Sequence, residues 1–310
     1  MKLKLIFFLS LIALFSCSTP PVNNDEQIKI VCTTGIIGDM VANIVGEAAE
    51  VKSMMGPGVD PHLYKASQGD LRLLTNADII IHNGLHLEGK MGEIFNKLKN
   101  RKIIFTAADG LQEKDLINNS NFLGAYDPHI WFDLNLWYKA CLHLTESLAN
   151  VEGLPKEKIM AQGQKYAAQI KEMSAWVKNE IHKIPEKQRV LITAHDAFSY
   201  FGKAYDIEVK GLQGISTASE YGLKDVSDLV NFIIERDIRA VYIESSVSDK
   251  ALQAVIKGCE SKGHNAVIGG MLYSDALGEN GSPEGTYLGV VRHNVNAIVE
   301  GLIKGETNEK

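Results

Sequence analysis

The chain has 310 residues, of which 45% are hydrophobic and 23% are charged, and its formal net charge is −6. This length predicts two domains, or one large one, that can bury a core without disulfides or structural metals. The ordinary apolar content excludes a disordered or collagen-like chain. The mild acidity argues against a nucleic acid as partner, because binding to phosphates needs a basic surface.

The N-terminus has the features of an export signal followed by a tether. Two lysines precede an apolar run at 5–15, which is too short for a transmembrane helix. The run ends in Leu-Phe-Ser-Cys at 14–17, which resembles the lipobox of bacterial lipoproteins, and a polar segment rich in chain-breaking residues follows. We therefore predict a signal peptide at 1–16 and a lipidated tether at 17–27. Cys17 is then the acylated first residue of an exported protein, anchored to a membrane on its periplasmic or extracellular face.

Three further cysteines, Cys32, Cys141 and Cys259, lie within apolar stretches. Their odd number argues against a disulfide framework, and their apolar surroundings are typical of buried thiols. We therefore predict that the mature chain is held together by its core and not by disulfides.

Strand-like runs alternate with helix-like stretches along the rest of the chain. The runs rich in β-branched and apolar residues are 28–33, 51–55, 78–82, 102–106, 189–193, 208–212, 240–244 and 265–268. The helix-like stretches include 38–45, 90–98, 224–236, 249–262 and 285–303. This alternation is typical of βαβ units, so we predict an α/β protein with two lobes, each a four-stranded, mostly parallel sheet flanked by helices.

One stretch, 154–184, contains no strand and has apolar residues at helical intervals. Pro155 is a suitable helix start, and a second proline follows the end of the stretch. About 28 helical residues would extend on the order of 40 Å. We predict a connecting helix within 151–185, between an N-terminal lobe at 28–150 and a C-terminal lobe at 186–310. Two shorter helices are the alternative, and a single helix predicts limited motion between the lobes.

Four polar residues, His62, His129, His195 and Asp275, lie just after strand-like runs, where ligands bind in open parallel sheets. Two of them fall in each predicted lobe. His62 and His129 each end an Asp-Pro-His motif, in which proline fixes the backbone and aspartate can accept a hydrogen bond. Such a histidine suits metal binding, because a partner on one ring nitrogen fixes the tautomer and orientation of the ring. The four residues are spread along the chain, so their spacing alone does not define a metal site.

Other polar residues near strand ends have simpler interpretations. His82 and His86 are separated by Asn-Gly, which breaks a helix and predicts structural roles for both. Glu244 ends a buried strand, where a structural carboxylate is favoured and orientation of a ligand histidine is the alternative. The turn at 33–39 lacks the spacing of a dinucleotide-binding loop, so we interpret it as a helix cap.

Seven segments carry a resemblance that covers nearly the whole mature chain; they are 60–64, 83–88, 127–133, 193–198, 211–217, 243–246 and 284–287. In these segments the chain resembles the metal-binding lipoproteins of zinc and manganese ABC importers, most closely the TroA-like family. The resemblance implies two lobes joined by one long helix, with one divalent ion between them. It assigns the ligands as His62, His129, His195 and Asp275. It also implies a monomeric, non-enzymatic binding protein that delivers the ion to an ABC permease.

The sequence does not decide between zinc and manganese as the bound ion. Three imidazoles and a carboxylate suit tetrahedral zinc, and a bidentate Asp275 would suit an ion of higher coordination. In the family that the chain resembles, many members that favour manganese have glutamate at the third position, so His195 favours zinc or mixed binding. One feature argues against zinc. Many zinc importers of that family have a histidine-rich loop before the second ligand, whereas the corresponding segment of this chain, 107–126, contains no histidine.

Two other functions also stay open for this sequence. An exported metal-dependent hydrolase would use Asp275 as a base, because a catalytic zinc normally has three protein ligands and an open position for water. A surface adhesin would use the metal only to join the lobes. Release of the ion under mild conditions separates a transport role from a structural one.

Overall fold

The structure is a computed structural model that describes residues 27–118 and 126–304. Cys17, the predicted signal peptide and most of the predicted tether lie outside the described residues. Within the described residues, no helix combines the length and the apolar character needed to cross a bilayer. Cys32, Cys141 and Cys259 are buried and free, as predicted.

Eight strands form two separate four-stranded sheets in which every pairing is parallel. The first sheet has the order β2-β1-β3-β4 and the second has the order β6-β5-β7-β8. Their bounds are β1 (Ile28–Cys32), β2 (Ala49–Ser53), β3 (Ile79–His82), β4 (Ile103–Thr106), β5 (Val190–His195), β6 (Glu208–Gln213), β7 (Ala240–Glu244) and β8 (Val267–Leu272). The predicted α/β class with two four-stranded sheets is confirmed. We call the part of the chain around the first sheet the N-terminal lobe and the part around the second sheet the C-terminal lobe.

Helices cover the sheets and connect them. They are α1 (Gly35–Val45), α2 (Gln68–Asn76), α3 (Gly92–Leu98), α4 (Leu134–Ala149), α5 (Lys156–Ile181), α6 (Ser199–Tyr205), α7 (Leu223–Glu235), α8 (Lys250–Ser261) and α9 (Tyr287–Lys304). Helix α1 is capped by Thr34, whose side chain accepts from the backbone of Ile37, so the turn at 33–39 is the predicted cap. Helix α2 is absent from the predicted set because Leu74 is its only buried residue, and a helix without an apolar stripe gives no periodic signal.

Strand β8 begins and ends later than the sequence predicts. The prediction stops at 268 because the next two residues are glycines, which weaken a strand. Gly269 is nevertheless required by packing: a Cβ there would lie 2.9 Å from Cβ of Ala240 and 3.1 Å from the ring of Tyr242. The strand therefore continues through both glycines to Leu272, which brings the following loop to the end of the sheet.

Helix α5 is one uninterrupted helix of 26 residues, so the single connecting helix is confirmed and the alternative of two shorter helices is wrong. It approaches α4 closely at Gly163, where a Cβ would lie 2.1 Å from Oγ1 of Thr145. Its buried face contributes Ile170 to a core that also contains Ile79 of the first sheet and Tyr242 of the second. The two lobes therefore share one core, while the lobe boundaries drawn from the sequence stay a prediction.

Candidate metal centre

The four residues singled out in the sequence come together between the carboxyl ends of the two sheets. His62 follows β2, His129 precedes α4, His195 is the last residue of β5, and Asp275 follows β8. All four are buried, and one potential ligand atom from each lies within 4.8 Å of the others. Two loops of one lobe therefore converge with a strand end and a loop of the other lobe on one point.

The distances within this cluster are those of donors around a small cation. Nε2 of His62 lies 3.2 Å from Nε2 of His129 and 3.8 Å from Oδ2 of Asp275. Asp275 also lies 3.5 Å from Nε2 of His129, through Oδ1, and 3.4 Å from Nε2 of His195, through Oδ2. Donors at the corners of a tetrahedron around zinc are about 3.4 Å apart, given metal–ligand distances of about 2.1 Å. Four of the six donor pairs therefore have spacings close to those of a zinc coordination shell.

Several polar atoms at the centre of the cluster have no hydrogen-bond partner within the described residues. They are both carboxylate oxygens of Asp275 and Nε2 of His195. Buried polar atoms are normally paired, because each unpaired one costs about 1–3 kcal/mol. A cation among them would pair all three at once, so the residues present fit a metal ion.

Carboxylates behind the cluster orient two of the histidines. Oδ1 of Asp127 accepts from the backbone N–H of His129 at 2.9 Å and lies 2.7 Å from its Nδ1. Oε1 of Glu244 accepts from the backbone N–H of His195 at 2.9 Å, and Oε2 lies 2.6 Å from its Nδ1. In both cases Nδ1 faces a carboxylate and Nε2 faces the cluster, as in metal-binding histidines with an outer carboxylate. Of the two interpretations of Glu244, the orienting one has the structural support.

A second polar network holds the segment that carries His129. The side-chain amide of Asn83 donates to the carbonyl of Pro128 at 2.9 Å. The backbone N–H of Asn83 donates to Oε1 of Glu88 at 2.9 Å, and Oγ1 of Thr33 donates to the same oxygen at 2.6 Å. Sequence reasoning did not select Asn83 or Glu88 as site residues, although the segment 83–88 is part of the resemblance. They fix the backbone immediately before a candidate ligand.

His82 and His86 lie outside the four-residue cluster. His82 lies 3.2 Å from Oγ1 of Thr106 on the neighbouring strand, through Nε2, and stacks on the ring of Phe95. His86 has a positive φ of 65° in the turn that follows β3. Both positions agree with the structural roles predicted from the Asn-Gly break.

The pKa values of the clustered groups shift in different directions. Burial lowers the pKa of His62 to about 3, so this imidazole is neutral at physiological pH. Burial also disfavours charge on His195, but the carboxylates of Glu244 and Asp275 outweigh it and raise the pKa of His195 well above its ordinary value. Burial acts to raise the pKa of Asp275, yet His195 and the other two imidazoles bring it well below its ordinary value. These directions favour a protonated His195 beside an ionised Asp275 when no ion is bound.

Comparison with known proteins gives matches over most of the chain. Residues 30–301 match the family described as ZnuA, the periplasmic component A of the zinc-uptake complex. The manganese-binding lipoprotein MntA of Bacillus subtilis (strain 168) is 44% identical over 292 residues, which cover 94% of this chain and 95% of MntA. The zinc-binding protein TroA of Treponema pallidum (strain Nichols) is 42% identical over 280 residues, or 90% of each chain. The solved structure of the periplasmic zinc-binding protein TroA from Treponema pallidum superposes with a TM-score of 0.87 over 89% of this chain and 99% of that one.

Proposed function

Since the chain belongs to the ZnuA family of periplasmic zinc-uptake components, we propose that it binds a divalent transition metal outside the cytoplasm and delivers it to an ABC permease. The observation that carries this proposal is the buried set of three imidazoles and one carboxylate with unpaired atoms facing one another. In this proposal one ion binds per chain, to His62, His129, His195 and Asp275. Each lobe then supplies two ligands, so capture of the ion also joins the lobes.

We propose zinc as the more tightly bound ion, with manganese as a second ion that the site accepts. Three nitrogen donors favour zinc, because zinc binds such sites more strongly than manganese in the ordinary affinity order. The carboxylate of Asp275 supports manganese as well, since oxygen donors suit that ion. The relatives do not separate the two, because MntA, which is named for manganese, and TroA, which is named for zinc, are 44% and 42% identical to the chain.

The closed ligand set supports binding and transport over hydrolysis. A catalytic zinc normally keeps one position for water beside a general base. Here Asp275 is 1% exposed and lies 3.4, 3.5 and 3.8 Å from the Nε2 atoms of His195, His129 and His62. That position suits a fourth ligand better than a base acting on a substrate. We therefore propose that the protein is a carrier and not an enzyme, and no feature of the described residues favours adhesion instead.

Metal content and metal uptake test this function together. We expect about one zinc or manganese ion per chain in protein purified without added metal, measured by elemental analysis, and competition between the two ions gives their order of affinity. Deletion of the gene should slow growth under metal limitation. The wild-type gene should restore growth and His129→Ala should not. Tight binding with no effect of the deletion on metal uptake would instead indicate a structural ion.

Metal binding should release a proton from His195. An imidazole must be neutral to bind a metal, so the ion displaces about one proton at neutral pH. The apparent affinity then rises with pH until the pH exceeds the pKa of His195, and it falls as the pH is lowered. Calorimetric titration in two buffers of different protonation enthalpy measures the number of protons released.

The variant Glu244→Gln serves as the comparison for proton release. It removes a carboxylate that raises the pKa of His195, so fewer protons should be released at neutral pH. We also expect zinc affinity to fall by about 10–100-fold, the usual cost of losing an outer partner of a ligand. A binding enthalpy that does not depend on the buffer in the wild-type protein would contradict a protonated His195.

We also propose that Cys17 carries a lipid anchor and that the mature chain acts as a monomer at the membrane. The lipobox-like segment 14–17 supports the anchor, and the relative MntA is named a lipoprotein. Cys17→Ser should move the exported protein from the membrane fraction to the soluble fraction outside the cytoplasm, because acyl chains supply the membrane affinity. Fractionation followed by immunoblotting measures this change. A Cys17→Ser protein that still sediments with membranes would contradict the anchor.

A further inference from the structure

The two Asp-Pro-His motifs are used in different ways. In the motif that ends at His129, the aspartate contacts both the backbone and the ring of its own histidine. In the motif that ends at His62, Oδ1 of Asp60 accepts from the backbone N–H of His62 at 2.8 Å. Oδ2 of Asp60 accepts from Oγ1 of Thr217 at 2.5 Å, and Thr217 follows β6 in the C-terminal lobe. One carboxylate therefore joins the loop of His62 to the opposite lobe.

The loop of Thr217 is itself fixed relative to His195. The side-chain amide of Gln213, at the end of β6, donates to the carbonyl of Thr217 at 2.7 Å and also to that of Ser219. Gln213 pairs with His195 in the register of β5 and β6, and its carbonyl accepts from the backbone N–H of Asp196 at 3.0 Å. A continuous set of hydrogen bonds thus runs from Asp196, which follows the third candidate ligand, to the backbone of the first across the space between the lobes.

His62 is the candidate ligand nearest to solvent. It is 5% exposed, whereas His129 and His195 are 0% exposed and Asp275 is 1% exposed. The next residue, Leu63, is 45% exposed, so the loop that carries His62 reaches the protein surface. This loop is preceded by Gly58, which has a positive φ of 68° that glycine adopts easily. Val59 and Tyr64, on either side of His62, pack against an apolar cluster of the N-terminal lobe that is separate from the shared core. Displacement of the loop must also break the hydrogen bond between Asp60 and Thr217.

We propose that the hydrogen bond between Asp60 and Thr217, here called the interlobe hydrogen bond, sets the rate at which a bound metal leaves the site. Thr217 is then a positioning residue: it acts through Asp60 to keep His62 in place over the ion. When the bond breaks, the His62 loop moves outward, and the ion is left with three ligands and an open side. This inference rests on the proposed function, because it takes His62 as a ligand of the transported ion.

The test compares two substitutions of Thr217 in the zinc-loaded protein. Thr217→Val keeps the shape of the side chain and removes the hydroxyl, and Thr217→Ser keeps the hydroxyl. Release of zinc to an excess of a chromophoric chelator is followed by stopped-flow absorbance. We expect release to be faster by about 10-fold or more in Thr217→Val, the factor expected for a hydrogen bond to a charged acceptor, and close to wild type in Thr217→Ser.

A double-mutant cycle shows whether Thr217 acts through Asp60. In an Asp60→Ala background, Thr217→Val should change the release rate no further, because the acceptor is already gone. Thr75→Val is the matched control: Thr75 is exposed on α2, and its hydroxyl donates to the carbonyl of Leu71 in the same helix. It should release zinc like the wild type. Thr217→Val should lower the thermal midpoint of the metal-free protein by only roughly 3–10 °C, the cost of one hydrogen bond to a charged acceptor, and a larger fall would indicate loss of structure.

The outcomes separate this inference from the proposed function. Wild-type protein that binds neither zinc nor manganese would overturn the proposed function itself. Wild-type protein that binds zinc and releases it at the same rate as Thr217→Val would overturn only the role of the interlobe hydrogen bond. Equal acceleration by Thr217→Val and Thr217→Ser would also overturn that role, because serine retains the donor.

Discussion

Replacement of His195 by alanine should weaken zinc binding by more than about 100-fold, since loss of an outer partner alone costs about 10–100-fold. The substitution removes one nitrogen donor, Nε2, which lies 3.4 Å from Oδ2 of Asp275. It also leaves Asp275 and Glu244 as buried carboxylates without the imidazole between them, and unpaired buried charge is strongly unfavourable. Competition against a chelator of known zinc affinity measures the loss, because direct titration underestimates tight binding.

The control for this substitution is His182→Ala. His182 is an exposed histidine at the C-terminal end of α5 and is not one of the four clustered residues. It should bind zinc like the wild type, which shows that the loss in His195→Ala comes from the site and not from the number of histidines. A His195→Ala protein that titrates like the wild type would remove His195 from the proposed ligand set.

Saturation with zinc should raise the thermal unfolding midpoint by on the order of 10 °C. A ligand that binds only the folded state stabilises it by about 4 kcal/mol when its free concentration is a thousand times Kd. Each kcal/mol moves the midpoint by roughly 2–4 °C in proteins of 150–250 residues. The effect is expected to be large here because the ligands come from both lobes, so unfolding of either lobe releases the ion.

Scanning calorimetry of zinc-loaded and chelator-treated protein measures this stabilisation. His195→Ala should show a much smaller shift at the same zinc concentration, because its Kd is higher. Equal midpoints with and without zinc, in a protein shown by elemental analysis to hold the ion, would mean that the ion binds folded and unfolded chains alike. That result would contradict a site assembled by folding.

The sequence predicts most of the fold because most elements have strong local signals. Strand β7 has the bounds that its apolar run indicates, and α5 has a buried stripe between two prolines. Helix α2 and the end of β8 have no such signal. Helix α2 buries a single residue. The end of β8 includes Gly269, where any side chain would press against the ring of Tyr242 on a neighbouring strand. Both depend on tertiary packing, which local patterns do not contain.

The candidate site was predictable in its residues but not in its geometry. The Asp-Pro-His motifs and the strand-end positions indicate which residues to consider, and the family resemblance selects the same four. The convergence of the four residues depends on how the two sheets pack together, and the spacing of residues along the chain does not predict that packing. Glu244 could not be assigned from the sequence, because it is 49 positions from the histidine that it orients. The bond between Asp60 and Thr217 joins residues 157 positions apart and has no local signal.

The core shared by the two sheets limits how the chain can be divided. Ile79, Ile170 and Tyr242 belong to one cluster, although they come from the first sheet, the connecting helix and the second sheet. A fragment that contains only one sheet would expose the apolar surface that the other normally covers, and exposed apolar surface promotes aggregation. Either half, expressed from a truncated gene, is therefore expected to be insoluble, whereas the intact chain keeps this surface covered.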